Sequence, residues 1–544
     1  MGVLTFKQYE RRRTFWCWVF VVTLPMVWYW TRFVNPSFNL IDDAFDLRHF
    51  EYMRTHFSEW WRTFGFHGEA ENGRLRTTSW LFRFFTYYLP CRMDPLRWNI
   101  AHFSILALTV SCLFFALRFL TGKNMAAVIA CVLWVLSGNT LMNYTRFGPF
   151  EVLQVLWLSL LSLLAYVALS RSSGRRVFFL HSAIFFCLFM LYFTKETSIL
   201  LLPFAALMLC GSLWLGKAKK EWSLFFGFNL VLFALQRYFS PPIAGYTSNF
   251  KPSMSVFLEN AERYSTVLEW RYLLLAAIAV YCLRNFHKLF KKQEFSLTDS
   301  WQFGFFSLGC GFLAPCLLWE AAEPRYLLVS EFLFAGFMAL ELFTVWNKFC
   351  ISPASDNKKK QWFKKAGLIT VCLILAVPTT DKLAQYSLYA YGVADKRTPV
   401  QALQWLSTIA EKNAVVLSLE VEQELVGATA IFMKDIFGRG DIQIYSVSPF
   451  AEISIRQGYP MRLISLERSL SELEHVDYVI QRRSGYRRPA VDRFFNKLMF
   501  HIQRAGFSGR LQKIYSELYR PPVFKLLEGV EIWKMGRPRQ SAIF

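Results

Sequence analysis

The sequence predicts a polytopic α-helical membrane protein of about eleven transmembrane helices, with a C-terminal extracytoplasmic α/β domain. Three observations carry this expectation. Apolar runs of about 20 residues, the length of a helix that crosses a bilayer, recur through the first 380 residues. Basic residues cluster in alternate loops between those runs. From about residue 395 the pattern changes to short β-branched runs alternating with helical stretches, as in a small α/β unit. Residues 1–394 are thus assigned to a transmembrane module and residues 395–544 to a soluble domain.

Composition excludes other classes. Of 544 residues, 54% are hydrophobic and 55 are Phe, and the mean hydropathy of +0.26 is too high for an ordinary soluble enzyme. The formal charge of +22 would suit a nucleic-acid partner, but its confinement to alternate loops argues against one. The 11 cysteines sit mostly inside apolar runs, and only Cys91 falls in a segment assigned outside, so no disulfide framework is expected. The eight histidines show neither HExxH nor paired Cys-His spacing, which leaves a zinc site without support. The first apolar run lacks a small-residue cleavage site and is expected to stay as a helix.

The spans are drawn at residues 14–34, 98–120, 125–145, 147–169, 177–194, 197–216, 222–239, 270–285, 301–319, 325–347 and 366–380. With this count the basic clusters at Arg11–Arg13, Arg175–Arg176, Lys219–Lys220, Lys291–Lys292 and Lys358–Lys360 all fall on the cytoplasmic side. The expected location is the plasma (inner) membrane, with the amino terminus cytoplasmic and the C-terminal domain outside.

Two longer outer segments, 35–97 and 240–269, join short outer turns. In the first, Phe45, His49, Tyr52 and Met53 share one helical face, as do Leu81, Phe84, Phe85 and Tyr88, which predicts juxtamembrane helices. In the tail, Val415–Leu419, Ile442–Val447, Val476–Ile480 and Val530–Trp533 read as strands, and Glu422–Ile436 as a helix.

Four groups on the outer face are candidates for chemistry. Asp42 and Asp43 follow the first span, where adjacent carboxylates beside a membrane repel each other and are costly to desolvate. They read either as a helix N-terminus or as a general base. Lys195-Glu196 interrupts an apolar stretch too long for one crossing, so it marks a turn; Lys195 suits a phosphate as a point charge, with Glu196 positioning it. Arg325 and Tyr326 open the tenth span, where an arginine either snorkels or clamps a lipid-linked phosphate. Arg146 and Glu151 flank the turn signal Gly148-Pro149. Their placement on one face is the specific feature.

These residues resemble the C-type superfamily of integral-membrane glycosyltransferases, over about residues 14–347. The acidic pair Asp42-Asp43, the long first outer loop and the acidic Glu151 in the second carry the likeness. Phe193-Thr194-Lys195-Glu196-Thr197-Ser198 is similar to the Lys-Glu turn of protein O-mannosyltransferase-like members. Arg146–Leu153 resembles the Gly-Arg-x-Glu-Leu stretch of repeat-containing O-mannosyltransferases, although Gly and Arg are not adjacent here. Gly73-Arg74-Leu75-Arg76-Thr77 lies where those relatives have Arg-Pro, without the proline. The α/β tail takes the place of their tetratricopeptide repeats, as in stand-alone bacterial members; the chain is also similar to lipid A aminoarabinose transferase-like members.

The resemblance implies inverting transfer from a polyprenyl-phosphate sugar to a glycan, lipid or protein acceptor. Asp43 or Asp42 would act as base, Glu151 would assist, and Lys195, Glu196, Arg325, Arg146 and Tyr326 would bind the lipid phosphate. Some relatives use a divalent cation, Mg or Mn, and Asp42, Asp43 and Glu151 are the candidate ligands. Two other readings use the same charged face. One is a flippase or transporter of lipid-linked saccharides, disfavoured because the charges lie at one face and the halves look unrelated. The other is a polymerase or ligase.

Overall fold

The computed structural model of the chain describes residues 6–30, 42–62, 76–144, 147–169, 175–215, 218–240, 253–267, 270–291, 296–319, 324–350, 397–419, 423–448, 451–456, 458–464, 475–483, 511–519 and 528–535, with a few single residues between. Its first part is helical. Helices span Phe6–Trp28, Pro95–Thr121, Asn124–Val135, Glu151–Leu169, Arg175–Tyr192, Leu201–Leu215, Lys219–Phe239, Arg271–Phe290, Leu297–Leu318 and Leu328–Cys350. They fall where the first ten spans were drawn; the eleventh, 366–380, lies outside the described residues. Five described helices are long and apolar enough to cross a membrane, and Asn124–Val135 and Phe178–Tyr192 are shorter apolar ones.

Local chemistry sets the helix ends. Asp94 caps the longest helix by accepting from the amides of Leu96 and Arg97 at 2.9 and 3.2 Å; Pro95 starts it, and Gly122 ends it in the left-handed region at φ 68°. Ser296 and Asp299 form a reciprocal capping box. The third span is not continuous. Its helix ends at Val135, and Ser137 caps a new helix, Gly138–Tyr144, by accepting from the Thr140 amide at 3.1 Å.

Leu328–Cys350 is central: 78% of its apolar window is buried, against 22% for the window Glu196–Leu213. The helix Leu297–Leu318 reaches it closely at Gly309, where an added Cβ would lie 2.6 Å from the Phe334 ring.

Short helices cover one end of this bundle: Asp42–Thr55, Phe57–Trp60 and Thr77–Arg83, the last continuing through a π-helical turn, Phe84–Tyr88. On the first, the buried stripe is Asp43, Ala44, Asp46, Leu47, Phe50 and Met53 rather than the expected Phe45, His49, Tyr52 and Met53. That helix is covered on two sides, so its second face packs as well. Phe45 lies against Gly427, whose Cβ position is 3.2 Å from the ring, and Arg48 sits 5.0 Å over the Tyr459 ring.

Gly427 and Tyr459 belong to a six-stranded sheet unit. Strands β1 (Val415–Ser418), β2 (Gln443–Ser446), β3 (Met461–Leu463), β4 (Tyr478–Arg483), β5 (Leu511–Tyr519) and β6 (Glu528–Met535) lie in the order β3-β2-β1-β4-β6-β5. The first four pair in parallel, with Val416 opposite Ile444 and Tyr478, while β6 and β5 are antiparallel. The apolar run Val415–Leu417 suits a central parallel strand buried on both faces. Strands β3 and β5 escape the sequence reading: β3 has three residues, and β5 alternates with Gln512, Ser516 and Glu517 and carries a bulge between Lys513 and Tyr515.

Candidate active site

The segment Phe147–Glu151 gathers the polar groups at the covered end of the bundle. The Phe147 amide donates to Asp43 Oδ1 at 3.0 Å, and the Phe147 carbonyl accepts from Arg83. Arg83 is 1% exposed and also pairs with Asp46, one helical turn beyond Asp43. Its guanidinium lies 5.4–5.7 Å from the Phe50, Trp80 and Phe150 rings, which exclude water from the pair.

At the other end of the same segment, Glu151 pairs with Lys195, and both are buried. Lys195 Nζ lies 4.5 Å over the Tyr326 ring. Four peptide steps separate Phe147 from Glu151, so the Cα atoms of the two residues that hold Asp43 and Lys195 lie within about 14 Å of each other. The carboxylate beside Lys195 is therefore Glu151 and not its chain neighbour. Glu196 instead accepts from Arg76 at 3.0 and 3.3 Å, and Arg76 sits 4.6 Å over the Phe150 ring.

Two anchors fix the Lys195 turn. The amide of Thr78 donates to the Phe193 carbonyl at 3.2 Å, and the Thr78 hydroxyl donates to Met190 O at 3.2 Å. Gln154 donates to Thr197 and Ser198 at 3.0 and 2.9 Å. The segment around Thr78, the turn before Glu151 and the turn at Lys195 are thus sewn together, and Tyr326 brings in the chain just before the helix Leu328–Cys350.

Burial shapes the electrostatics. It lowers the Lys195 pKa from its ordinary value, while Glu151 opposes the shift. His49 is pulled down to about 4 by burial and then by Arg83, so its ring is neutral at pH 7; it accepts from Trp60 Nε1 at 2.7 Å. Just inside the central helix, buried Glu331 accepts from Ser137 Oγ at 2.8 Å and from Asn139 Nδ2 at 2.5 Å.

Of the expected site residues, Asp43, Glu151, Lys195, Glu196 and Tyr326 are brought into this network. The side chains of Asp42 and Arg325 and the whole of Arg146 lie outside the described residues. Sequence reasoning passed over Asp46, Arg83 and Glu331. Only Asp46 left a signal, three residues after Asp43 on the same face.

Among the described residues, Asp46, Glu151 and Glu196 each face a cationic side chain and Asp43 faces an amide, and no three His, Cys, Asp or Glu side chains converge.

No protein-family model matches the sequence, and no curated protein does. Solved structures do match in shape. ArnT from Cupriavidus metallidurans in the apo state is similar with a TM-score of 0.51 at 9% identity, over 94% of this chain and 97% of that one. The same protein bound to undecaprenyl phosphate gives 0.49 at 9% identity over the same shares. The archaeal oligosaccharyltransferase AglB from Archaeoglobus fulgidus, in complex with an inhibitory peptide and a dolichol-phosphate, gives 0.47 at 12% identity, over 87% of this chain and 69% of that one. The fold of this chain is that of apo ArnT.

Proposed function

We propose that the chain is a glycosyltransferase that moves a sugar from a polyprenyl-phosphate donor to an acceptor hydroxyl or amine, with inversion. One observation carries the reading: the segment Phe147–Glu151 holds a carboxylate at one end, Asp43, and a buried cation at the other, Lys195. Inverting transfer from a lipid phosphate requires that pair, because the leaving group needs cations rather than a protonating acid.

In the step, the acceptor O–H or N–H gives its proton to Asp43, or to its neighbour Asp42. The freed electron pair forms the new bond to the anomeric carbon, and the bond from that carbon to the phosphate oxygen breaks. The electron pair leaves on the lipid phosphate, where Lys195 and Arg325 stabilise the charge. Glu151 and Tyr326 hold Lys195 in place, and its partial desolvation makes it a stronger partner for an entering phosphate. Arg76 and Glu196 fix the turn that carries it.

The reading extends to topology. Eleven spans put the site at the outer face of the plasma membrane, with the amino terminus inside and residues 395–544 outside; the positive-inside bias supports this arrangement. The acceptor is a glycan, lipid or protein reached from that face.

The test uses purified protein in detergent with lipid and a panel of undecaprenyl- and dolichyl-phosphate sugars, following release of the lipid phosphate. Slow turnover lost in both Asp43→Asn and Lys195→Ala is expected. No turnover with any donor, together with translocation of labelled lipid in sealed vesicles, would overturn the reading in favour of a flippase.

A further inference from the structure

The helix Phe6–Trp28 carries a stripe that the site does not use. Tyr9, Arg12, Arg13, Trp16 and Phe20 recur at the spacing of one helix face, and with Val128 of the neighbouring helix they line an open groove of about 620 Å³. Tyr9, Trp16 and Phe20 are 57%, 64% and 51% exposed. The groove lies at the end of the bundle away from the site. From Arg12 the helix climbs about 25 Å, at 1.5 Å per residue, towards Tyr29, which packs on Phe103, and the chain then enters the helix of Asp43. The turn at Gly122, before the Val128 helix, is at the groove end, whereas Asp94 and the Ser137 turn are at the site end.

We propose that this groove binds one anionic phospholipid, with its phosphate on Arg12 and Arg13 and an acyl chain along Trp16, Phe20 and Val128. Charge and order support this occupant. Both arginines are exposed, no carboxylate lines the groove among the described residues, and the nearby Glu10 turns to Arg118 at 4.0 Å. Beyond the cations every lining group is aromatic or apolar, which a soluble anion would leave uncovered. From Arg13 to Phe20 the helix advances about 10 Å, within the roughly 15 Å of hydrocarbon in one leaflet, so charge, aromatic belt and apolar contact follow the profile of a lipid from head to tail. Basic pockets between membrane helices recognise anionic head groups in this way. The proposal does not depend on the transferase reading.

The experiment is native mass spectrometry of the full chain released from nanodiscs of phosphatidylcholine doped with phosphatidylglycerol. Wild type should retain one phosphatidylglycerol in preference to phosphatidylcholine. An arginine near an anionic head group contributes about fivefold in affinity, so R12Q/R13Q should bind roughly 25-fold more weakly, and added salt should weaken wild type. W16A should lose retention of either lipid while keeping the wild-type melting temperature in pure phosphatidylcholine. Equal retention of the two lipids by wild type would overturn the proposal, independently of how the variants fold. So would retention indifferent to R12Q/R13Q, or a two-chain mass that W16A dissociates, which would make the groove a contact between copies.

Discussion

Asp43 Oδ1 accepts the backbone N–H of Phe147 at 3.0 Å, although 104 positions separate them in the chain. The bond joins the helix Asp42–Thr55 to the turn before Glu151, so a shift in that turn moves the carboxylate with it.

Asp43→Asn keeps the size of the side chain and removes its charge. On the transferase reading, steady-state turnover should fall by 10²–10⁴ with an unchanged melting temperature, because proton transfer from the acceptor loses its base. Turnover within threefold of wild type would show that Asp43 is not the base and would pass that role to Asp42.

Lys195 and Glu151 separate binding from structure. Lys195→Ala should cost about 10²–10³ in turnover, the effect of removing a preorganised charge partner from a dry site. Glu151→Ala leaves the cation buried without its carboxylate and should lower stability by about 3–5 kcal/mol, measured by thermal or denaturant unfolding. An unaltered unfolding profile in Glu151→Ala would show that the pair is not buried as described.

Arg83 is a structural counterpart. It is buried beneath aromatic rings and holds both Asp46 and the Phe147 carbonyl. Arg83→Met strands Asp46 and should destabilise by about 3–5 kcal/mol, and Asp46→Leu in the same chain should recover part of that loss. The double-mutant cycle is the measurement, and simple additivity would refute the coupling.

His49 gives a pH dependence of known sign. Its folded pKa, about 4, lies below the unfolded 6.5, so below pH 6.5 the unfolded chain binds a proton that the folded chain does not. Stability is complete above pH 6.5 and falls as pH drops towards 4, by on the order of 3 kcal/mol. Melting curves between pH 7 and pH 4 should show a steeper fall for wild type than for His49→Phe.

Gly427 tests the seat of the sheet unit. A Cβ there would meet the Phe45 ring at 3.2 Å, so Gly427→Val must push the ring and the helix of Asp43. A loss of about 1–3 kcal/mol is expected, relieved in Phe45→Ala/Gly427→Val. If the valine were neutral, the two surfaces would not be in contact.

Much of the helical architecture was legible because hydrophobic length and charge asymmetry are local properties of a chain in a bilayer. Ten of the expected spans coincide with described helices, and the four expected strands, read from their β-branched runs, are present as well. The break after Val135 was not legible, because its cap at Ser137 needs no change in hydropathy. The candidate residues Asp43, Glu151, Lys195, Glu196 and Tyr326 could be named from sequence because charge at a membrane face is costly and therefore conspicuous. Their partners could not. Only tertiary structure gave Lys195 to Glu151 and Glu196 to Arg76, because ion pairs follow distance in space, and adjacent side chains on a tight turn point apart. Arg83 and Asp46 were hidden for the same reason: each looks like an ordinary surface charge until the rings of Phe50, Trp80 and Phe150 close over the arginine and its carboxylate partner.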